Sequence, residues 1–92
     1  MIRTFRCRDT KDLFEGRSIR RFESCARVAL RKLAILDAAG SINDLRIPPG
    51  NRLEALKGTR HGQHSIRIND QFRLCFYWSA AGAEEVEIVD YH

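Results

Sequence analysis

The chain has 92 residues, of which 43% are hydrophobic and 30% are charged, and its formal net charge is +4. This size and composition predict a single globular domain over residues 1–92 and exclude a disordered or fibrous chain. Arginines interrupt the apolar residues near the N-terminus and no apolar run is long enough to span a bilayer, so we expect no secretory signal, no membrane association and a cytoplasmic protein.

Cysteine usage and the type of basic residue narrow the function further. Cys7, Cys25 and Cys75 are widely spaced without a CxxC pair, so we expect no zinc site, no redox pair and no cofactor. An odd number of cysteines suits a reducing compartment. Thirteen of the sixteen basic residues are arginine. Because the arginine fork grips phosphate oxygens in pairs, this bias favours a nucleic-acid or acidic-protein partner, although a solvated surface rich in arginine is the simpler alternative.

The first half of the chain predicts one strand and two helices. Residues 1–6 alternate as a strand does, and Asp9 or Thr10 is suited to cap a short helix that ends at Gly16. A long helix is predicted over residues 20–39, before Gly40. Its apolar residues recur at spacings of three and four: Phe22, Cys25, Ala26, Ala29, Leu33 and Leu36. A loop with one helical turn at 42–45 and two prolines follows.

From residue 51 the apolar period changes to two. Strands are predicted at 52–56, 64–68, 72–78 and 84–91, with a two-residue hairpin connection at 69–70 and a turn at "SAAGA". The predicted fold class is therefore α+β: an N-terminal strand, two helices and a C-terminal antiparallel β-meander packed on the helices.

The strand at 72–78 has two different faces. Phe72, Leu74, Phe76 and Trp78 form an apolar face, whereas Arg73, Cys75 and Tyr77 form the other. An antiparallel last strand would bring Tyr91 and His92 near Arg73. The pattern indicates a partly solvated cleft around this arginine, with an ordinary solvent-facing strand arginine as the alternative.

The second half of the sequence resembles a known family. "NRLEALKGTRHGQHSIRINDQFRLCFYW" at 51–78 and the terminal "VEIVDYH" resemble the HigB-type toxins of bacterial toxin–antitoxin modules, in the RelE-like superfamily. "LRKLAILDAA" at 30–39 also fits, so the likeness extends over nearly the whole chain. Within the family the sequence is most similar to the GraT subgroup.

The resemblance implies a toxin that cleaves mRNA on the ribosome without a metal and is neutralised by a helix-turn-helix antitoxin of the HigA or GraA type. The catalytic residues of the family correspond here to Lys57, Arg73, Asp90, Tyr91 and His92. HigB proteins commonly have histidine where this chain has Glu54. This difference implies a slower or differently tuned enzyme.

The residue types suggest a role for each candidate. His92 is suited to proton transfer, because imidazole titrates near pH ~6.5, and Asp90, two residues earlier, is placed to orient it. Arg73 is suited to bind the scissile phosphate. Lys57 either contacts phosphate or is a solvated loop charge. Tyr91 either stacks on a base, lends its hydroxyl to the phosphate, or packs in the core.

The remaining candidates lie around the "LKG" turn. Arg52, Arg60, His61 and His64 are candidates for RNA contact, with solvated loop residues as the alternative, and the two histidines lack a third metal ligand. Glu54 is expected to pair with neighbouring cations and to modulate activity rather than to act as a base.

Two other functions remain open at this stage. A catalytically weak basic module, acting through antitoxin or ribosome binding, is kept open by Glu54. A DNA-binding domain is disfavoured, because the meander offers no recognition helix and the core needs the apolar face of the long helix.

Overall fold

A computed structural model describes residues 1–91 of the chain. It contains two α-helices, α1 (Arg8–Phe14) and α2 (Ala26–Ala38), followed by four strands: β1 (Glu54–Ala55), β2 (His64–Arg67), β3 (Phe72–Ser79) and β4 (Gly82–Asp90). The strands form one antiparallel sheet in the order β1-β2-β3-β4. The predicted α+β class, with a meander packed on helices, is confirmed. Within residues 1–91 no helix is both long and apolar enough to cross a membrane.

The predicted N-terminal strand is present only as two isolated bridges. Ile2 and Phe5 pair in parallel with Ala83 and Val86 of β4. Between these pairs β4 contains a bulge, where Glu85 has a positive φ of 51° and donates its N–H to Thr4 Oγ1. The bulge interrupts the ladder, which explains why the segment pairs without forming a regular strand.

Helix α1 begins earlier than the capping pattern predicts. Its N-cap is Cys7, without a side-chain cap, so the assignment of Asp9 or Thr10 as the cap is wrong. Thr10 is instead fully buried, and its hydroxyl accepts a hydrogen bond of 3.0 Å from the N–H of Ile88. This bond ties α1 to β4. Gly16, with a positive φ of 96°, follows the helix as predicted.

The predicted long helix is divided. Arg20–Cys25 forms a 3₁₀ helix, and only Ala26–Ala38 is α-helical. The two parts still bury one continuous apolar stripe, which includes Phe22, Cys25, Ala29, Leu33 and Leu36. Phe22 packs edge-on against Phe72 of β3, with 6.0 Å between the ring centroids. The stripe thus provides the helical half of the core.

The first two strands of the meander are shorter than predicted, whereas β3 and β4 are each one residue longer. The strand at 52–56 is reduced to Glu54–Ala55, because Arg52 before it has a left-handed backbone. The two-residue connection at 69–70 is wrong: residues 68–71 lie between β2 and β3. There Asn69 Oδ1 accepts hydrogen bonds from the N–H groups of Gln71 and Phe72. An asparagine side chain thus replaces the expected tight turn. The helical turn predicted at 42–45 is confirmed as a 3₁₀ helix at Ile42–Arg46.

Candidate functional site

The sheet has one face against the helices and one face that carries polar groups. Glu54, Ser65, Cys75 and Glu87 are directly opposite one another in successive strands and form one row across the sheet. Arg73 lies two residues before Cys75 and therefore on the same side. We call this side of the sheet the Arg73 face. The predicted two-sidedness of β3 is confirmed, since Leu74 and Phe76 are fully buried on the other side.

The guanidinium of Arg73 is held by three neighbours on this face. Its Nε donates to Ser65 Oγ at 2.8 Å, and its Nη2 donates to the carbonyl oxygen of Arg52 at 2.7 Å. Glu54 Oε1 lies 3.6 Å from the same Nη2. The side chain of Arg73 is only 12% exposed. Its planar fork is therefore pre-positioned by the protein.

One edge of the fork has no partner among the described residues. Nη1 of Arg73, which carries two N–H groups, makes no hydrogen bond within residues 1–91. Phosphate oxygens are suitable acceptors for such donors. The contacts within residues 1–91 therefore hold the arginine without using all of its donors.

Glu54 pairs with a cation, as the sequence predicts. Its side chain is 58% exposed and contacts Arg73 through the 3.6 Å ion pair. Lys57 and Arg52 are exposed, and their side chains make no hydrogen bond or ion pair within residues 1–91. Arg52 contributes its backbone carbonyl instead. Both of these cations are therefore accessible to an external anion.

The loop at 57–63 is anchored to the Arg73 face by Arg60. Arg60 Nη1 donates to Glu87 Oε1 at 3.0 Å and to Gln63 Oε1 at 3.2 Å. Arg6 Nε lies 3.8 Å from the same Glu87 oxygen. The Glu87 hydrogen bond raises the pKa of Arg60 above its usual value. Glu87, in β4, therefore forms ion pairs with the guanidinium groups of both Arg60 and Arg6.

Tyr91 comes to the same face at the end of β4. Its N–H donates to the carbonyl of Gln71 at 2.7 Å, and its hydroxyl lies 3.9 Å from Cys75 Sγ. Burial raises the pKa of the Tyr91 phenol and that of the Cys75 thiol. Both groups are thus neutral near pH 7, which leaves Tyr91 able to donate a hydrogen bond or to stack rather than to act as a base.

Other predicted site residues are not brought to Arg73. His64 is in phase with Ile66 on the helix side, where its ring stacks on Phe76 with 6.4 Å between centroids and its buried Nδ1 has no hydrogen-bond partner among residues 1–91. Asp90 is opposite Phe72, also on the helix side of the ladder, and accepts a hydrogen bond from Gln71 Nε2 at 3.0 Å. Strand alternation explains both placements. His61 is exposed in the loop, and His92 lies outside the described residues.

The sequence analysis assigned no role to Ser65, Cys75 or Glu87, although it placed Cys75 on the face of Arg73, and it did not identify the carbonyl of Arg52. The alternation of apolar and polar residues could have identified the three side chains. When neighbouring strands are paired across their turns, each of the three lies on the same face as Arg73. No pattern of residue types signals a backbone carbonyl. No group of three His, Cys, Asp or Glu side chains that could hold a metal ion occurs in the described part of the chain.

Two concavities are lined by residues within the first 30 of the chain. One, of about 460 Å³, lies between α1 and α2 and is lined by Leu13, Ile19, Ala26 and Leu30 among others. The second, of about 530 Å³, lies beside Arg6 and α1. Neither is lined by Arg73. The convergence of donors and acceptors around Arg73, rather than cavity size, identifies the candidate site.

Comparisons with known proteins identify similar sequences. The chain is 56% identical over 55 residues to "Toxin HigB-1" of Vibrio cholerae serotype O1, covering 60% of this chain and 58% of that protein. It is 46% identical over 50 residues to an uncharacterized protein of Haemophilus influenzae, covering 54% and 50% of the two chains. The matched segments thus span between half and three fifths of these relatives.

A family model matches most of the chain. The model described as "RelE-like toxin of type II toxin-antitoxin system HigB" matches residues 4–92, which is nearly the entire sequence. The narrower placement in the GraT subgroup stays a prediction. The chain therefore belongs to the family of RelE-like toxins of the type II toxin–antitoxin system HigB.

Proposed function

We propose that the chain is a toxin that cleaves mRNA on the ribosome, without a metal ion, in the bacterial cytoplasm. The observation that carries this proposal is the Arg73 fork, which is held by Ser65 and Arg52 and whose Nη1 makes no hydrogen bond to residues 1–91. A fixed guanidinium with free donors is suited to stabilise charge that develops on a phosphate. Family membership supports the same reading.

The proposed reaction uses the ribose 2′-hydroxyl as an internal nucleophile. Its oxygen attacks the adjacent phosphorus, the bond to the 5′-oxygen breaks, and the proton is transferred from the attacking oxygen to the leaving one. Arg73 stabilises the negative charge of the phosphorane, and Lys57 adds a second, exposed cation nearby. Tyr91, neutral at pH 7, donates a hydrogen bond or stacks on a base.

Proton transfer is assigned to His92, which lies outside the described residues. Asp90 stays in the proposal as a group that orients the terminal backbone, while its carboxylate accepts a hydrogen bond from Gln71. Arg52 and Arg60 are proposed phosphate contacts beside the cleft, and His61 is an exposed contact in the loop. His64 contributes by packing against Phe76 rather than by touching RNA.

A sparse acid–base set implies dependence on the ribosome. With one candidate imidazole and no paired histidine, the protein relies on an aligned substrate for much of its rate. Purified protein is expected to cut an mRNA on programmed ribosomes and to leave the same free RNA almost uncut. Primer extension on both substrates, at matched protein concentration, makes the comparison. Equal rates on the two substrates would contradict ribosome dependence.

The partner proposed for neutralisation is a helix-turn-helix antitoxin, in keeping with a toxin–antitoxin family. A second candidate function, a weakly catalytic binding module, is favoured by one observation: Arg73 already has acceptors in Ser65, Arg52 and Glu54. Growth arrest on induction, with and without Arg73, separates the two. A binding module would still arrest growth when Arg73 is replaced, whereas a nuclease would not.

A further inference from the structure

A buried lysine lies in the apolar stripe of α2. Lys32 is only 8% exposed and adjoins Leu33, which is fully buried. Its Nζ donates to Asn51 Oδ1 at 2.5 Å and has no carboxylate partner within residues 1–91. Burial lowers the pKa of this amine. Because an ammonium buried without a counter-ion is unfavourable, and an apolar residue would avoid that penalty, stability alone does not explain Lys32.

Asn51 connects Lys32 to the loop before β1 through hydrogen bonds. Asn51 is fully buried, and its Nδ2 donates to the carbonyls of Leu45 at 3.2 Å and Ile47 at 3.3 Å. One amide therefore links α2 to both ends of the 45–51 segment. The two hydrogen bonds donated by Asn51 hold the backbone of the 45–51 segment in place.

The next residue carries the carbonyl that contacts Arg73. Arg52 has a left-handed backbone, with φ 46° and ψ 58°, which is unfavourable for a residue other than glycine. Its carbonyl oxygen accepts the 2.7 Å hydrogen bond from Arg73 Nη2. The strained conformation thus aims an acceptor at the guanidinium. Such a conformation persists only where the surrounding contacts enforce it.

We propose that Lys32 and Asn51 are positioning residues for the phosphate-binding arginine. They hold residue 52 in its left-handed conformation, and the carbonyl of residue 52 orients the Arg73 fork. Neither side chain touches the substrate. The inference rests on the proposed function for its catalytic consequence, but the positioning itself is measurable without any activity.

The test compares Lys32→Met with Arg27→Met in the full chain. Both variants remove one cation from α2, but Arg27 is exposed and its side chain makes no hydrogen bond or ion pair with the described residues, so it is the matched control. The side-chain Nε–H resonance of Arg73, assigned by its disappearance in Arg73→Lys, reports the hydrogen bond to Ser65. We expect slow hydrogen exchange at this group in the parent and in Arg27→Met, and fast exchange in Lys32→Met.

Cleavage on programmed ribosomes supplies the second measurement. Lys32→Met is expected to lower kcat by about 10–100-fold, with less than a twofold change in KM, because a displaced fork weakens transition-state contacts. Asn51→Asp serves if Lys32→Met does not fold, since it keeps an acceptor for Lys32 but loses both donations to the loop. Unchanged Arg73 exchange in a folded variant overturns the proposal. Absence of cleavage by the parent would refute the proposed function while the resonance still decides the positioning.

Discussion

Arg73 and Glu54 form an ion pair across the first strands of the sheet, with 3.6 Å between Nη2 and Oε1. The carboxylate is more than half exposed, whereas the guanidinium is nearly covered. An RNA phosphate approaching Arg73 therefore also approaches a negative charge. This geometry gives a physical basis to the expectation that Glu54 tempers activity.

Glu54→His is expected to raise cleavage on ribosomes. Replacing the carboxylate removes repulsion of the phosphate and introduces the imidazole that HigB toxins commonly have at this position. The partly exposed ion pair is worth about 1 kcal/mol or less, so the charge effect alone corresponds to about two- to fivefold in KM. Glu54→Gln isolates that charge effect, and steady-state cleavage of both variants separates it from any contribution of the imidazole. Activity at or below the parent level in both variants, with matched folding, would count against a tempering role.

Arg73→Ala is expected to abolish cleavage and to weaken the fold moderately. Phe72 and Leu74 lie on the other face of β3, so the truncation opens no cavity between the sheet and the helices. The Ser65 hydroxyl and the Arg52 carbonyl would, however, lose a partner. Ser65 is fully buried, and an unpaired buried polar group costs about 1–3 kcal/mol, so chemical denaturation should reveal a loss in that range.

Arg73→Lys is the matched variant for this experiment. It keeps the positive charge, but a single ammonium cannot reproduce the planar fork. We expect a smaller loss of stability than in Arg73→Ala and a comparable loss of cleavage. Full cleavage by Arg73→Lys would mean that charge, rather than the fork, is what the phosphate requires.

The site could be predicted from the sequence where strand alternation decides the geometry. Alternation along β3 places Arg73 on the face of the sheet away from Phe72 and Leu74. The antiparallel β4 then brings Tyr91 to the face of Arg73. The same alternation places His64 and Asp90 on the helix side of the sheet, away from Arg73, which their assignment as site residues did not take into account. The Arg52 carbonyl was unpredictable, because it depends on a left-handed backbone that tertiary contacts enforce.

The helix boundaries illustrate the same limit. Apolar spacing located the buried stripe through Phe22 and Leu36 but did not distinguish a 3₁₀ turn from an α-helix, since spacings of three and four are compatible with both. Thr10 resembled a cap in the sequence, yet its hydroxyl is used by β4. A local preference was overridden by a distant backbone N–H group that needed an acceptor.

Stability near Lys32 is expected to depend on pH with a defined sign. Burial lowers the pKa of the folded amine below its ordinary value of 10.5, so the unfolded chain binds more protons between those two pKa values. The Lys32 contribution to the unfolding free energy therefore rises with pH through this window and is lost as pH falls through the lowered pKa. Cys75 and Tyr91, whose pKa values are raised, act in the opposite direction in the alkaline range.

The difference in unfolding free energy between the parent and Lys32→Met isolates the contribution of Lys32. Urea unfolding of the parent and of Lys32→Met, at pH values from 7 to beyond the ordinary lysine pKa of 10.5, should give a difference in unfolding free energy that moves in favour of the parent as pH rises. Arg27→Met, measured in parallel, should give a difference that does not depend on the Lys32 titration. A flat difference for Lys32→Met would mean that the folded amine titrates at its ordinary pKa.

Removal of His92 is expected to separate activity from stability. A chain that ends at Tyr91 keeps all of β4, which ends at Asp90, and the 2.7 Å hydrogen bond from the Tyr91 N–H to the Gln71 carbonyl. A chain ending at Tyr91 should therefore unfold within ~1 kcal/mol of the parent, as is usual for changes outside the core. Cleavage on ribosomes should fall by ~10²–10⁴-fold, the usual contribution of general acid–base catalysis.

Thermal melts run beside the cleavage assay make the comparison, and His61→Ala, which removes an exposed loop imidazole, is the matched control. If the shortened chain cleaves mRNA as fast as the parent does, proton transfer must be reassigned, and Tyr91 and Lys57 become the next residues to test.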